Sequence, residues 1–305
     1  MKKLLTSILA IIFTVCLAFS LVGCGDANVT PPSAVNGADT VMTGLKKTPD
    51  SYDANTAVYA ALGKLESYTT YKSQSSGTST ARKGIVSYTQ TTNAVTIKHG
   101  DEYYTDTESH SAFVNFRHEA FAKNNNVAYR VNDGDIKNVL RSSYESVYGI
   151  TPAKLLTGHI YNQNTIVSVT GQKVNSNYQY AVTLDKNESN AGLSRQMKEF
   201  GGLGGYPVFN EDPVVTIVVR EDFTPVSATY ESKYTVNVPV LGEMDCFETN
   251  TITFSHFNGN VEIPDTEDFN AAMNSTPSVI DPNKTAEKSG LDKIAASLVN
   301  LNFRD

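Results

Sequence analysis

The sequence has no tryptophan, only three cysteines and no run of basic residues. Cys16 and Cys24 belong to an N-terminal leader and its junction, described below, so the rest of the chain carries Cys246 by itself. A single thiol excludes an internal disulfide, and a domain of this length does not need one to bury a core. No His or Lys stands beside Cys246 to activate the thiol, so we predict a small core side chain rather than a reactive cysteine.

Positive charge is scarce. The chain carries 25 Lys and Arg against 32 Asp and Glu, a formal charge of −7. Removal of Lys2 and Lys3 with the leader leaves 23 basic residues against 32 acidic ones, a charge of −9. Such a surface repels phosphates and anionic lipid head groups. The composition therefore argues against nucleic acid as a partner, and any attachment to a membrane must rely on lipid.

Motifs of known catalytic and metal centres are also missing. The sequence has no HExxH, GxSxG or SxxK, and Gly201–Gly205 is not followed by the Lys-Ser/Thr of a P-loop. His110 and His118 would share a face if they lay on one strand, but they lack the short spacing typical of zinc ligands. Asn132–Asp135 matches only part of a calcium loop and predicts a solvated turn. We predict no enzymatic activity, no cofactor and no metal site.

The N-terminus carries a specific signal. Lys2 and Lys3 give a positive start, and Leu4–Val22 follows without a charge, as is typical of an export signal. The four residues at its end resemble the lipobox of bacterial lipoproteins: Leu21, Val22, Gly23 and Cys24.

The lipobox resemblance implies a defined maturation. A signal peptidase would cut between Gly23 and Cys24, and the Cys24 thiol would carry a diacylglyceryl group. Two acyl chains anchor a protein stably, which places the chain on the extracytoplasmic face of the cell membrane. The length of the apolar segment leaves an uncleaved transmembrane anchor as the alternative. Either way, residues 25–305 are expected outside the cytoplasm.

Composition and periodicity divide the rest of the chain. We expect a signal peptide at 1–23, a lipidated N-terminus and flexible tether at 24–50, a folded domain at 51–270 and a C-terminal tail at 271–305. The tether is rich in Gly, Pro, Ser, Thr, Asn and Asp. The tail has a weak amphipathic pattern over Leu291–Leu301.

The domain begins with a helix and continues as a meander. Apolar residues from Ala54 to Leu65 recur with helical spacing, after a start signal at Pro49–Ser51. Period-two alternation then predicts strands over the following segments: Tyr68–Thr78, Lys83–Thr91, Ala94–Lys98, Glu102–Thr107, Ala112–Phe121, Thr165–Thr170, Tyr178–Leu184, Val214–Val219, Ala228–Val238 and Glu248–Phe257. Short helices are expected at Asp135–Val147, Pro152–Leu156 and Leu193–Phe200. The nearly continuous apolar run of Val214–Val219 predicts a strand covered on both faces.

This order predicts an α+β fold: a large curved antiparallel β-sheet, shaped as a half-barrel, with helices packed on its concave face. The helix, the meander and the hairpin formed by Val214–Val219, Asp222–Pro225 and Ala228–Val238 resemble the LolA/LppX-type lipoprotein and lipid carriers. That resemblance covers roughly residues 52–263, rests on topology, and transfers no site residue. It implies an open half-barrel whose concave face holds acyl chains; this chain differs in its extra tail.

The predicted function is binding of a lipid or other hydrophobic ligand by a membrane-anchored lipoprotein. The alternative is a non-enzymatic envelope interaction protein with a filled core, and an enzyme ranks third. Aromatic residues on the strands would line a cavity in the first case and fill an ordinary core in the second: Tyr103, Tyr104, Phe113, Phe116, Phe121, Tyr178, Tyr180, Tyr230 and Tyr234.

Overall fold

Twelve β-strands form one curved antiparallel sheet that does not close into a barrel. The structure is a computed structural model and describes residues 48–110, 115–148, 166–190, 208–238 and 242–280. The strands are β1 (Thr70–Lys83), β2 (Val86–His99), β3 (Glu102–His110), β4 (Asn115–Lys123), β5 (Asn126–Val131), β6 (Lys137–Leu140), β7 (Ile166–Val174), β8 (Asn177–Leu184), β9 (Val208–Phe209), β10 (Val214–Val219), β11 (Pro225–Val238) and β12 (Gly242–Ser255).

The first and last strands meet in the middle of the sheet. The spatial order is β6-β5-β4-β3-β2-β1-β12-β11-β10-β8-β7, and β9 pairs with β11 beyond the end of β10. The chain therefore runs outward from β1 to one edge at β6. It then builds the other half from the edge strand β7 and returns through β11 and β12 to pair with β1.

Helix α1 (Ala54–Ser67) covers one half of this sheet. The Asp53 side chain caps its first turn by accepting a hydrogen bond of 2.9 Å from the Thr56 backbone N–H. The predicted apolar stripe is confirmed, because Ala57, Val58, Ala61 and Leu65 are all buried against the sheet. The helix starts later than the predicted start signal, because Pro49–Ser51 forms a separate 3-10 turn before the capping Asp53.

The close approach of α1 depends on a glycine. A Cβ on Gly171 of β7 would stand 2.6 Å from the Tyr180 ring and 3.4 Å from the Cβ of Ala54. Any side chain at this position would collide with the Tyr180 ring, which packs over Gly171 near the start of the helix.

Helix α2 (Arg141–Tyr148) packs on the same face of the sheet at the β4–β6 edge, where its Tyr144 is buried. This is the concave face, so the predicted fold class is confirmed. Helix α3 (Glu267–Met273) packs on the opposite face instead. Its Phe269 contacts Tyr104 and Phe121, whose side chains point away from α2. Residues 186–190 are also helical.

The segment after α3 protects the edge strand β6. Ser278 forms a parallel bridge with Val139, and backbone bonds link it to Asn138 and Leu140 at 3.0 Å. Ile280 then reaches the concave side and packs beside Val139. The boundary expected at residue 270 falls inside α3, and the packing described here continues to residue 280.

Three local predictions were wrong. Lys83–Thr91 and Ala94–Lys98 form one strand, β2, because the polar residues between them pair with β1 and β3 on both sides. Asp135–Val147 is not one helix: Lys137–Leu140 is β6, held by pairing with β5, and the helix starts only at Arg141. Val214–Val219 is not equally covered on its two faces, since buried and half-buried residues alternate along it.

The predictions for Pro152–Leu156, Leu193–Phe200 and Leu291–Leu301 lie outside the described residues.

Candidate ligand-binding site

The concave face has an apolar half beneath α1. We call this group the α1 cluster. It joins the helix to buried side chains of β8, β10, β11 and β12 and includes Tyr71, Tyr178, Tyr180, Val182, Val215, Ile217, Ala228, Tyr230, Ile252 and Phe254. Burial raises the pKa of Tyr180 in this cluster to about 12.

A smaller apolar group lies beneath α2. This α2 cluster consists of Ala120, Ala122, Val127, Tyr129, Val139 and Tyr144. His118 adjoins it, with its ring centroid 6.0 Å from that of Tyr129 and 6.5 Å from that of Tyr144. Burial lowers the pKa of His118 to about 4, because the surroundings disfavour the imidazolium.

Buried polar side chains cross the middle of the concave face. Gln90 of β2 pairs with Ser79 of β1, Ser79 with Glu248 of β12, and Glu248 with Ser232 of β11. The four residues are directly adjacent across strands and point to the same face as the two clusters. Each is no more than 3% exposed. We call these four residues the central row.

Hydrogen bonding within and beside the central row is incomplete. The Ser79 hydroxyl bonds the Tyr234 hydroxyl at 2.9 Å, and Thr92 bonds Ser109 at 2.6 Å one row away. Both amide atoms of Gln90 and the hydroxyl oxygen of Ser232 have no partner within the described chain. A buried polar group without a partner costs about 1–3 kcal/mol, so these groups lower the stability of the folded protein.

The electrostatics of the row are also unusual. The carboxyl group of Glu248 lies in the row itself, and among the described residues the neighbouring rows on this face carry no Lys or Arg. Lys98 lies on the same face, eight residues along β2 from Gln90, and its ammonium donates to the Glu66 carbonyl oxygen at 2.7 Å. Burial lowers the pKa of Lys98.

Charged residues on the opposite face form a separate network. Arg117 bonds both carboxylate oxygens of Asp106 at 3.0 and 2.8 Å, and Arg130 bonds Glu119 at 2.6 Å. Glu119 is buried and also accepts from Tyr104 at 3.2 Å. Every group here has an ionic or hydrogen-bonded partner, which indicates a role in stability.

Two surface grooves lie away from the central row. One, of about 520 Å³, runs between α3 and the β4–β5 turn and is lined by polar groups such as Lys123, Asn126 and Glu267. The other, of about 510 Å³, lies on the outer face beside Lys233 and Phe247. Both are open to solvent, whereas the central row is buried.

The aromatic residues predicted to line one cavity are divided between two faces. Five of them lie on the concave side: Tyr103, Tyr178, Tyr180, Tyr230 and Tyr234. Tyr104 and Phe121 lie on the outer side against α3. Phe113 and the side chain of Phe116 fall outside the described part of the chain.

Other predicted residues have clear positions. His110 and His118 lie on different strands and opposite faces, so they cannot share a metal ion. No cluster of metal-ligating side chains occurs among the described residues. Cys246 is a buried thiol, as expected of a core residue. Asn132–Asp135 is an exposed turn, with Asn132 at φ 53°. Leu21, Val22, Gly23 and Cys24 precede the described residues.

Sequence reasoning missed the central row. A signal was present in β1, where Ser73, Ser75 and Ser79 occupy the alternate positions at which a packed sheet interior normally carries large apolar residues. Only the pairing of β1 with β12 brings Glu248 and Ser232 beside them.

Comparison with known proteins gives distant similarities of fold. No family model and no curated protein sequence matches the chain. Among solved structures, a DUF1329 family protein from Desulfovibrio piger is 10% identical, with a TM-score of 0.29, over 72% of this chain and 98% of that one. A LolA-superfamily protein from Nitrosomonas europaea is 7% identical, with a TM-score of 0.25, over 69% and 94%. An outer membrane lipoprotein-sorting protein domain from Vibrio parahaemolyticus is 10% identical, with a TM-score of 0.25, over 66% and 91%.

None of the helices in the described ranges is long and apolar enough to cross a bilayer.

Proposed function

We propose that this chain is a membrane-anchored extracytoplasmic lipoprotein that binds a lipid or similar amphiphile on the concave face of its sheet. The observation that carries the proposal is that this face holds two apolar clusters and, beside the α1 cluster, a buried row of polar side chains. Ligand sites combine mostly apolar walls with a few convergent polar groups. An amphiphile matches this pattern because its chain needs the former and its head group the latter.

The curvature of the sheet supports the choice of its concave face as the ligand site. The sheet is open rather than closed, so its concave face is not filled by strands from the far side, as it would be in a small barrel. The side chains of β1 on this face are small at Ser75, Gly77 and Ser79, so they occupy little volume above the middle strand. A chain lying across them would contact both clusters.

The anchor rests on Cys24. Its lipobox resemblance supports attachment to the membrane through acyl chains, and the segment 25–50 would let the domain stand away from the bilayer. A carrier needs this freedom to exchange a ligand with the membrane surface.

The test is native mass spectrometry, with organic extraction, of residues 25–305 produced without the leader and purified without detergent. We expect near-stoichiometric bound lipid. Ser232→Trp places an indole in the concave face and should expel the lipid. Glu231→Trp changes the neighbouring, outward-facing residue and should retain it.

A lipid-free mass for the unmodified chain that stays unchanged after incubation with added lipids would contradict the proposal. It would favour the alternative of an envelope interaction protein with a filled core. Equal lipid loss in both Trp variants would contradict the assignment to the concave face. Circular dichroism of both variants separates ligand loss from misfolding.

A further inference from the structure

We infer that the open edge of strand β7 pairs with β7 of a second copy of this chain. The pairing is antiparallel, its two-fold axis passes beside Thr170, and the two sheets continue into each other as a closed dimer. This interface lies at the edge of the sheet and does not depend on a ligand on the concave face.

The two edges of the sheet differ in how they are covered. At β6, the segment after α3 lies alongside the strand, where Ser278 is bonded to Asn138 and Leu140. At the other edge, β7 pairs with β8 and with no further strand of the described ranges. Seven of its nine residues are exposed, among them Val167 at 55% and Val174 at 38%. Such an edge offers its backbone N–H and C=O groups to another strand.

The hydrogen-bond pattern of β8 identifies the groups that are offered. The Leu184 N–H donates to the Pro213 carbonyl oxygen at 2.9 Å, on the β10 side of the strand. Along an antiparallel strand, successive residues bond alternately to the neighbour on one side and to the neighbour on the other. By this alternation and the register of β7 with β8, the main chain of Thr170 bonds β8, whereas that of Val169 and Gly171 points to the open edge.

The open edge is suited to pairing with itself. When Thr170 lies opposite Thr170 of the second copy, Val169 and Gly171 exchange main-chain hydrogen bonds across the axis, and symmetry repeats the exchange. Lys173, the one charged residue of β7, then lies opposite Val167. Its alkyl stem covers an exposed apolar side chain, and no like charges meet.

The composition of β7 also favours strand pairing. β-Branched residues, which favour pleated strands, occupy five of its nine positions: Ile166, Val167, Val169, Thr170 and Val174. Natural edge strands are protected by bulges and by lysines. In β7 the bulge follows Ile166 and the lysine is the penultimate residue, so residues 168–172 between them carry neither feature.

The covered edge at β6 limits how copies can assemble. A contact between β7 of one copy and β6 of the next would repeat head to tail into a filament. Strand β6 has only four residues and is already paired beyond its edge by Ser278. A contact between two β7 edges uses the same surface on both copies, so it closes after two chains.

Cysteine crosslinking tests the register in residues 25–305, in which the native Cys246 is buried. Opposed residues of a pair without mutual hydrogen bonds have Cα atoms about 4.5 Å apart, which suits a disulfide. Thr170→Cys should therefore give a disulfide-linked dimer in a glutathione redox buffer. Gln172→Cys is the matched control on the same face of the same strand. Its two copies lie about 14 Å apart and should stay unlinked.

Sedimentation velocity over a range of concentrations tests the association itself. We expect a monomer–dimer equilibrium for the unmodified chain. Thr170→Lys and Thr170→Glu each place like charges at the axis and should raise the dissociation constant at least about tenfold. An equimolar mixture of the two variants should dimerise again. Thr89→Lys makes the same change at an exposed position of β2 and should dimerise like the unmodified chain.

The outcomes are distinct. An unmodified chain that stays monomeric at about 1 mM would overturn the inference and direct the search to a partner of another sequence. A dimer that Thr170→Lys leaves intact, or that crosslinks equally through Gln172→Cys, would overturn the assignment to β7. None of these measurements involves a lipid, so their result is separate from that of the proposed function.

Discussion

The hydroxyl groups of Ser79 and Tyr234 lie 2.9 Å apart in a buried hydrogen bond that joins β1 to β11 over the intervening strand β12. The two residues are 155 positions apart in the sequence. This bond links the two halves of the sheet next to the residues that we assign to ligand binding.

Tyr234→Phe should destabilise the protein by about 1–2 kcal/mol, because the Ser79 hydroxyl then loses its buried partner. Urea unfolding of the two single variants, Tyr234→Phe and Ser79→Ala, and of the double variant measures the coupling. We expect the double variant to cost less than the sum of the two single ones. Strict additivity would show that the bond contributes nothing.

Gln90→Leu should have the opposite effect on the ligand-free protein. It replaces a buried amide that lacks a partner in the described chain with an apolar side chain of similar size, so the free energy of unfolding should rise by about 1–2 kcal/mol. Gln74→Leu, on the exposed outer face, should change it by less than about 0.5 kcal/mol. A gain in stability with a loss of ligand binding is typical of a functional site. A clear loss of stability in Gln90→Leu would mean that the amide supports the fold.

His118 should make stability depend on pH. Burial holds its pKa at about 4 in the folded protein, against about 6.5 in the unfolded chain. The unfolded chain therefore binds the extra proton between these values, and stability is lost as the pH falls through this window. The loss from this residue between pH 7 and pH 5 should be about 2 kcal/mol.

The measurement is urea unfolding at pH 7 and pH 5 for the unmodified chain and for His118→Phe, which lacks the titrating group. His256→Phe changes an exposed histidine and serves as the control. If the unmodified chain and His118→Phe lose the same stability on acidification, His118 is not the cause.

The ion pairs of the outer face should differ strongly in their contributions. Glu119 is buried and bonded to Arg130 and Tyr104, so Glu119→Gln should cost about 2–4 kcal/mol by leaving the arginine without its charged partner. Glu211→Gln removes an exposed pair with Lys233 and should cost about 0.5 kcal/mol or less. Thermal and urea unfolding give both values. Equal costs would indicate that the buried network adds nothing beyond a surface pair.

Cys24 should be the acylation site. Cells producing the chain with labelled palmitate should yield a labelled protein that stays in the membrane fraction after high-salt washing. Cys24→Ala should abolish the label and keep residues 1–23 attached. Cys16→Ala, inside the leader, should retain the label. Continued labelling of Cys24→Ala would contradict the lipobox assignment.

Parts of the fold were predictable because the relevant signal is local. The helix over Ala54–Leu65 follows from the spacing of its apolar residues, whereas its capping residue, Asp53, was not predicted. Strand β8 shows the expected alternation of buried and half-buried residues. Strand β6 was missed because four residues have little local preference, and pairing with β5 and the bridge to Ser278 decides their conformation.

Composition and the period of neighbouring residues were enough to predict the position of helix α1 and the antiparallel α+β architecture, and the acidic balance is read from the composition directly. The leader and its lipobox stay a prediction. Which residues share the concave face depends on how the strands pair in the folded protein. Gln90 and Glu248 come together because β1 lies between the strands that carry them. Which buried polar groups lack partners depends on long-range strand register, which sets the surroundings of every side chain and leaves no periodic trace in the sequence.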